Sequence, residues 1–334
     1  MNLKTQFTEM HYNKDAKNIK LLDFCSLFYG ALSRLKNLLY DKGILKPVKV
    51  NAFVISVGNI TTGGVGKTPV TAEIARYFKD QKTVIISRGY GGKLNNKKIN
   101  VISDGKEIFY DAETAGDEPF WLAQNTNAAV ITSKNRIKAA EYATERFGAE
   151  KIILDDGFQH RKLHRDLDLV LTDSKMRFGN EKLLPAGPLR EGKEAFPRID
   201  NLIVVSKNTD HSQAEKLAKI LAEKMSIPVS VCCTEPEYIY NIKTGARLEA
   251  GASITAICAI GQPQQFYDFL ADYNIVRTVS FDDHHRYEPE DIDKISGVIV
   301  TTEKDAVKLQ KFNNENIYAL KLKTRLNIKE ILHD

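Results

Sequence analysis

Only four cysteines occur in the 334 residues, Cys25, Cys232, Cys233 and Cys258, and no two of them form a C-x-x-C pair. The sequence therefore suggests neither a zinc site nor a dithiol redox motif, and a reducing cytoplasm fits it best. Cys233 and Cys258 lie in or beside apolar strand-like runs, where cysteine acts as a small buried residue. No run of 18 apolar residues is present to form a spanning helix, and the first 19 residues are polar and mixed in charge, unlike a secretory signal. Internal repeats and low-complexity stretches are missing. So is a dense basic block interleaved with aromatics, and nucleic acid is not the expected partner. Charge is nearly balanced: 48 basic against 43 acidic residues leave a net +5. That permits an anionic partner, such as a membrane surface or a phosphorylated substrate, without requiring one.

What is there suits a folded chain of two domains, with 43% hydrophobic and 27% charged residues. From residue 52 the pattern alternates between strand and helix. Strands are expected at 52–57, 83–88, 128–132, 151–155, 168–172 and 201–206, and helices at 69–80, 134–147 and 211–225. These strands are short and almost wholly apolar, as in parallel strands covered on both faces. A hairpin through Asp104-Gly105 is expected to interrupt them. The expected fold is α/β, a doubly wound, mostly parallel sheet whose ligands sit at the carboxyl ends of its strands. Residues 231–250 break the alternation and read as a hairpin-like linker turning at Lys243-Thr244-Gly245. A smaller α/β unit follows, with strands at 254–260, 275–281, 298–302 and 317–321 and helices at 262–273 and 289–295. The expected division is a helical N-terminal region at 1–50, a core at 51–230, the linker, and the smaller unit at 251–334.

Gly58 to Pro69 reads GNITTGGVGKTP, between the apolar run 52–57 and a helix-like stretch. Strand, glycine-rich turn and helix in that order build a phosphate cradle, because backbone N–H groups converge on an anion at a helix N-terminus. Lys67 then reaches the β- and γ-phosphates and the Thr68 hydroxyl sits on Mg²⁺. The usual pattern has glycine six residues before the lysine, where this chain has Thr61. The apolar strand Lys151–Asp155 ends in Asp155-Asp156-Gly157, downstream of the loop, where such proteins hold the Mg²⁺ shell. Asp-Asp-Gly is equally a common turn.

Four other segments carry chemistry-bearing side chains. Gly116-Asp117-Glu118-Pro119 places two carboxylates in what reads as a polar connection. Arg88, in SRGYGG, and Arg190, in LLPAGPLRE, sit on glycine- or proline-rich loops after strands and suit a phosphate clamp, though either alone would pass for a surface loop. Phe281 to Tyr287 reads FDDHHRY. Its paired histidines lack further ligands at metal-binding spacing, so a base or the partner of a base is the better reading. Finally, Lys20 to Tyr40 repeats apolar residues at helical spacing (Leu21, Phe24, Phe28, Leu32, Leu35, Leu39) opposite Asp23, Ser26, Ser33, Arg34 and Asn37, among many lysines. Such a helix either packs on the core or lies in a membrane interface.

Together GNITTGGVGKTP, SRGYGG, AGDEP, DDGFQH, LLPAGPLRE and FDDHHRY resemble, in order, the tetraacyldisaccharide 4′-kinase (lipid A 4′-kinase) family, whose loop also carries the threonine at position 61. The resemblance runs from about residue 20 to about residue 305. It implies a P-loop NTPase-like fold and transfer of the γ-phosphate of ATP, with Mg²⁺, to the 4′-hydroxyl of a tetraacyldisaccharide 1-phosphate, in lipid A (lipopolysaccharide) biosynthesis. It further implies a monomer held peripherally at the cytoplasmic face of the bacterial inner membrane, with helix 20–40 as its interfacial element. ATP is expected on Thr61, Thr62, Gly63, Gly64, Val65, Gly66, Lys67 and Thr68, and metal on Thr68, Asp155 and Asp156. Asp117, His284, Lys67 and Asp156 are the expected catalytic residues, with Asp117 as base and His284 as its partner. Substrate contacts are expected from Arg88, Glu118, Gln159, His160, Arg190 and Glu191. Two other readings share the loop. Dimerising partitioning or sorting ATPases carry a signature lysine before the glycine pair, where this chain has Thr62. A non-catalytic ATP-binding membrane module would need fewer carboxylates than Asp117, Glu118, Asp155 and Asp156 supply.

Overall fold

The computed structural model describes residues 10–12, 20–207, 210–282 and 285–332. Six segments, FVISVGN, TVIIS, AVIT, KIILD, LDLVLTD and NLIVVS, have too few polar side chains to leave a face in water. They form β1 (Phe53–Asn59), β2 (Thr83–Ser87), β4 (Ala129–Thr132), β5 (Lys151–Asp155), β6 (Leu167–Asp173) and β7 (Asn201–Ser206). The short β3 (Asn100–Ser103) pairs antiparallel with β4 at one edge. β8 (Val229–Asn241), β9 (Ser253–Cys258), β10 (Asn274–Ser280), β11 (Val298–Thr302) and β12 (Ile317–Arg325) complete one sheet, in the order β10-β9-β11-β12-β8-β7-β6-β1-β5-β2-β4-β3. Apart from the β3–β4 and β8–β12 pairs, the ladders are parallel.

The described α-helices longer than three residues are α1 (Lys20–Asp41), α2 (Lys67–Tyr77), α3 (Ala112–Ala115), α4 (Asp117–Asn125), α5 (Arg136–Phe147), α6 (Ser212–Met225), α7 (Pro263–Asp268), α8 (Pro289–Asp293), α9 (Glu303–Leu309) and α10 (Ile328–Leu332), and a 3-10 helix spans Lys193–Arg198. Period-2 alternation in the strands sorts the helices between the faces. Ile55 and Val57 of β1 join Val70 and Ile74 of α2 and Leu122 of α4, whereas Val54 joins Ala139, Ala140 and Ala143 of α5 on the opposite side. Val170, Leu202 and Val204 pack against Ala214, Leu217 and Leu221 of α6. Ile153 is fully buried, and truncating such a side chain to alanine costs about 2–5 kcal/mol.

The sheet does not break across residues 231–250. β8 pairs parallel with β7 over Val229–Cys233 and antiparallel with β12 over Cys233–Asn241, so one 13-residue strand belongs to both halves. The turn after it closes with Asn241 N donating to Ala246 O at 2.8 Å. The helix expected at 262–273 is shorter, Pro263–Asp268. The last residues do more than end a strand: β12 runs to Arg325, and Ile328 and Ile331 of α10 return to the core beneath α2.

The amphipathic α1 is turned against ordinary expectation, with its polar face on the protein and its apolar face in solvent. Ser26 and Asn37 are buried while Leu27 is 74% and Phe28 68% exposed. The packing reading of this helix holds for its polar stripe alone. Gly30 lets α1 approach the segment 181–191, since a Cβ there would lie 2.7 Å from Leu183 Cδ1.

Candidate active site

The chain turns after β1, at the point where strand order switches direction between β5 and β6. Gly66, just before α2, has φ of +92°, a left-handed conformation that side chains resist. The loop 60–66 is laced to the segment 182–190. Thr61 bridges antiparallel to Leu189, Thr62 N donates to Pro188 O at 2.8 Å, and Arg190 N donates to Ile60 O at 2.7 Å. Thr61 is thus a paired extended residue with a negative φ, so its position does not demand the glycine of the usual pattern. Tyr12 Oη donates to Thr62 O at 2.6 Å, and Lys207 Nζ donates to Gly64 O while pairing with Asp173 at 3.2 Å.

Lys67 opens α2. Its Nζ lies 3.3 Å from Asn59 Oδ1 and 3.7 Å from Asp156 Oδ1, both long for a charge-assisted contact. Asp156 turns the chain after β5 with φ of +58°, which aspartate tolerates better than most residues, and receives Arg190 Nη1 at 2.8 and 3.0 Å. Burial would raise the Asp156 carboxyl, but Lys67 and Arg190 outweigh it and hold the group below the usual carboxylate range. Asp155, deeper at the strand end, is pushed well above that range by burial, with Glu118 adding to the effect. Two adjacent carboxyls are thereby set apart by their surroundings. Thr71 Oγ1 donates to Asp155 Oδ1 at 3.4 Å. The buried Arg136 guanidinium ties β2 to β5 through Ile86 O at 2.6 Å and Asp155 O at 3.0 Å.

A cavity of about 880 Å³ opens over the loop. It collects Thr61 to Thr68, Arg88, Asp117, Glu118, Asp155, Asp156 and Arg190 on one side, and Gln262, Phe266, Phe269, Glu303 and Leu322 from the later half of the sheet on the other. Asp117 and Glu118 do not lie in a connection as the sequence reading had it. They form the first turn of α4, where the helix N-terminus favours a carboxylate. Asp117 Oδ2 lies 3.1 Å from Lys308 Nζ of α9. The Arg88 guanidinium stacks over Tyr90 at 4.9 Å.

Three of the expected substrate residues do not line this cavity. Gln159 braces the loop, donating to Asn59 O at 2.9 Å and meeting Arg190 Nη1 at 3.3 Å. His160 is largely buried; burial, then Arg136 and Arg165, push its imidazole down to about 4. Glu191 is buried under α1, accepting from Asn37 Nδ2 at 2.9 Å and from Arg198, a structural ion pair away from the cavity. His284 lies outside the described residues. Its neighbour His285 stacks on Phe281 at 4.5 Å and bonds Asp291 at 2.9 Å. The sequence reading missed Asp173, Lys207, Arg136 and Lys308. Asp173 ends an apolar strand as Asp155 does, and Lys207 directly follows one; that shared placement is the available signal.

A phosphate loop at a switch point, with cations and carboxylates around one cavity, defines a nucleotide-dependent phosphotransferase of the P-loop class. The profile of the tetraacyldisaccharide-1-P 4′-kinase family matches residues 19–334. The chain belongs to this family, and it is a kinase. The tetraacyldisaccharide 4′-kinase of Halothermothrix orenii is 37% identical, with 92% of this chain and 88% of that protein covered; that of Desulfotalea psychrophila is 36% identical, with 90% and 91% covered. Among solved structures, LpxK from Aquifex aeolicus in complex with ATP superposes with a TM-score of 0.75 at 32% identity, covering 92% of this chain and 94% of that one. Residues 310–334, which the motifs left out, fall inside the family match.

Proposed function

We propose that this chain transfers the γ-phosphoryl group of ATP to the 4′-hydroxyl of a tetraacyldisaccharide 1-phosphate by the following division of labour. Thr61 to Thr68 cradle the triphosphate, with Lys67 against its β- and γ-phosphates. Lys67 suits an incoming anion because its contacts to Asn59 and Asp156 are long and leave it incompletely paired. Arg190 and Arg88 neutralise phosphate oxygens, on the nucleotide or on the acceptor. Asp117 takes the proton as the 4′-oxygen bonds to the γ-phosphorus and the bond from that phosphorus to the β–γ bridging oxygen breaks, releasing ADP. His284 is proposed to orient Asp117.

The donors around the loop are hard oxygens, the Thr68 hydroxyl with Asp155 and Asp156, and these fit Mg²⁺. When bound there, Mg²⁺ would neutralise charge on the phosphates. Asp156 shared between Lys67 and Arg190 is the observation that carries this reading, because it fixes two cations and a carboxylate beside the helix N-terminus. No described helix is long and apolar enough to cross a membrane. The exposed stripe of α1 supports peripheral docking at the cytoplasmic face of a bacterial inner membrane, where the acyl chains of the substrate would lie. The proposed units, 51–230 and 251–334 joined through 231–250, each line one side of the cavity. Transfer of labelled phosphate from ATP to the lipid, compared between native protein and Lys67→Ala, tests the assignment.

A further inference from the structure

The later half of the sheet does more than wall the cavity. Thr302 Oγ1 caps α9 by accepting from Asp305 N at 3.1 Å, and its hydroxyl bonds Asp305 Oδ2 at 2.9 Å. Asp305 is wholly buried and also accepts from Ala259 N at 2.9 Å, so its carboxylate is locked to β9 and β11. One turn further along α9, Lys308 Nζ lies 3.4 Å from Asp305 Oδ1 and 3.1 Å from Asp117 Oδ2. The ammonium is about nine-tenths buried and spans the two halves. The other end of α4 is gripped as well: Lys321 of β12 bonds Asn125 Oδ1 at 3.0 Å and Glu303 of α9 at 2.7 Å.

We propose that Lys308 is a positioning residue for the reaction, anchored by Asp305 and holding the Asp117 carboxylate in the orientation from which it accepts the proton of the acceptor hydroxyl. This rests on the reading of Asp117 as base. A rotatable ammonium with three donors can serve both carboxylates at once. Its contact to Oδ2 sets how the carboxylate is turned at the start of α4, next to Glu118. Because the anchor belongs to β9, β11 and α9, the base is in place only when the two halves of the site are together.

The test is a kinetic cycle on the full-length protein. Lys308→Met should lower kcat at least about tenfold, a fraction of what a positioned general base supplies, with the KM for ATP within about threefold. Lys308→Arg, which keeps the charge, should recover part of the loss. In an Asp117→Asn background, Lys308→Met should cost less than about threefold, since the two residues act as one unit. Lys308→Met, Asp305→Asn restores charge balance around the buried carboxylate. It should regain thermal stability without regaining kcat. Equal losses from Lys308→Met in both backgrounds, or recovery of kcat in the Asp305→Asn double variant, would overturn the inference and leave Asp117 as base. Normal kcat in Asp117→Asn alone would instead remove the base assignment and the inference with it.

Discussion

Arg190 and Asp156 meet through a single guanidinium nitrogen, Nη1, which lies 2.8 Å from one carboxylate oxygen and 3.0 Å from the other. The arginine reaches that position because its backbone is hydrogen-bonded to the phosphate loop at Ile60, and its carbonyl accepts from Tyr29 of α1 at 2.8 Å. Loop, carboxylate and N-terminal helix are therefore joined at one residue.

Arg190→Lys keeps the charge but replaces a planar fork by a point charge on a flexible stem. Turnover should fall by about tenfold or more while the fold persists, because the laced backbone around Ile60 and Leu189 is untouched. Steady-state kinetics beside circular dichroism check this. Native-like kcat would place Arg190 outside the reacting centre.

Charging the exposed stripe of α1 with Phe28→Glu and Leu35→Glu should abolish co-sedimentation with anionic vesicles and leave the melting temperature almost unchanged. Both side chains already face solvent, and substitutions at such sites stay within about 0.5 kcal/mol. Asn37→Ala reverses the pattern: it takes a donor from the buried Glu191 and should destabilise by about 1–3 kcal/mol. A large loss of stability in the glutamate variant would show that the stripe packs against protein.

How much of this was legible in the sequence depended on whether the determining contact was local. The strands could be read because burial on both faces leaves long apolar runs, and the phosphate loop because glycine, lysine and threonine are needed at fixed spacing. Helix α4 went unread, although an acidic first turn with Pro119 in it is a helix start. Thr302 and Asp305 likewise marked the start of α9. Nothing local could reveal that Glu191 is taken by Asn37 and Arg198, or that Lys308 reaches Asp117, since both depend on segments far apart in the chain. The orientation of α1 was equally hidden. An amphipathic pattern shows that a helix has two faces but not which one meets the protein.

His160 makes stability depend on pH. Its ordinary value is 6.5 and burial lowers it to about 4 in the folded protein. Between those values the unfolded chain binds a proton that the folded chain refuses, so the contribution is present above about pH 6.5 and is lost as pH falls towards 4. Partial exposure limits its size, and the share lost between pH 7.5 and pH 5 should be about 1 kcal/mol. Urea unfolding of His160→Gln at the two pH values should show a correspondingly smaller difference than the native protein. An identical difference in both would mean that His160 titrates normally.

The most direct measurement follows labelled phosphate from ATP in the presence of purified protein, Mg²⁺ and tetraacyldisaccharide 1-phosphate. The label should appear on the 4′ oxygen of the lipid at a rate that falls at least about a hundredfold in Lys67→Ala, the scale set by removing a preorganised electrostatic contact. Release of the label as free phosphate with none on the lipid, or transfer unaffected by Lys67→Ala, would contradict the account.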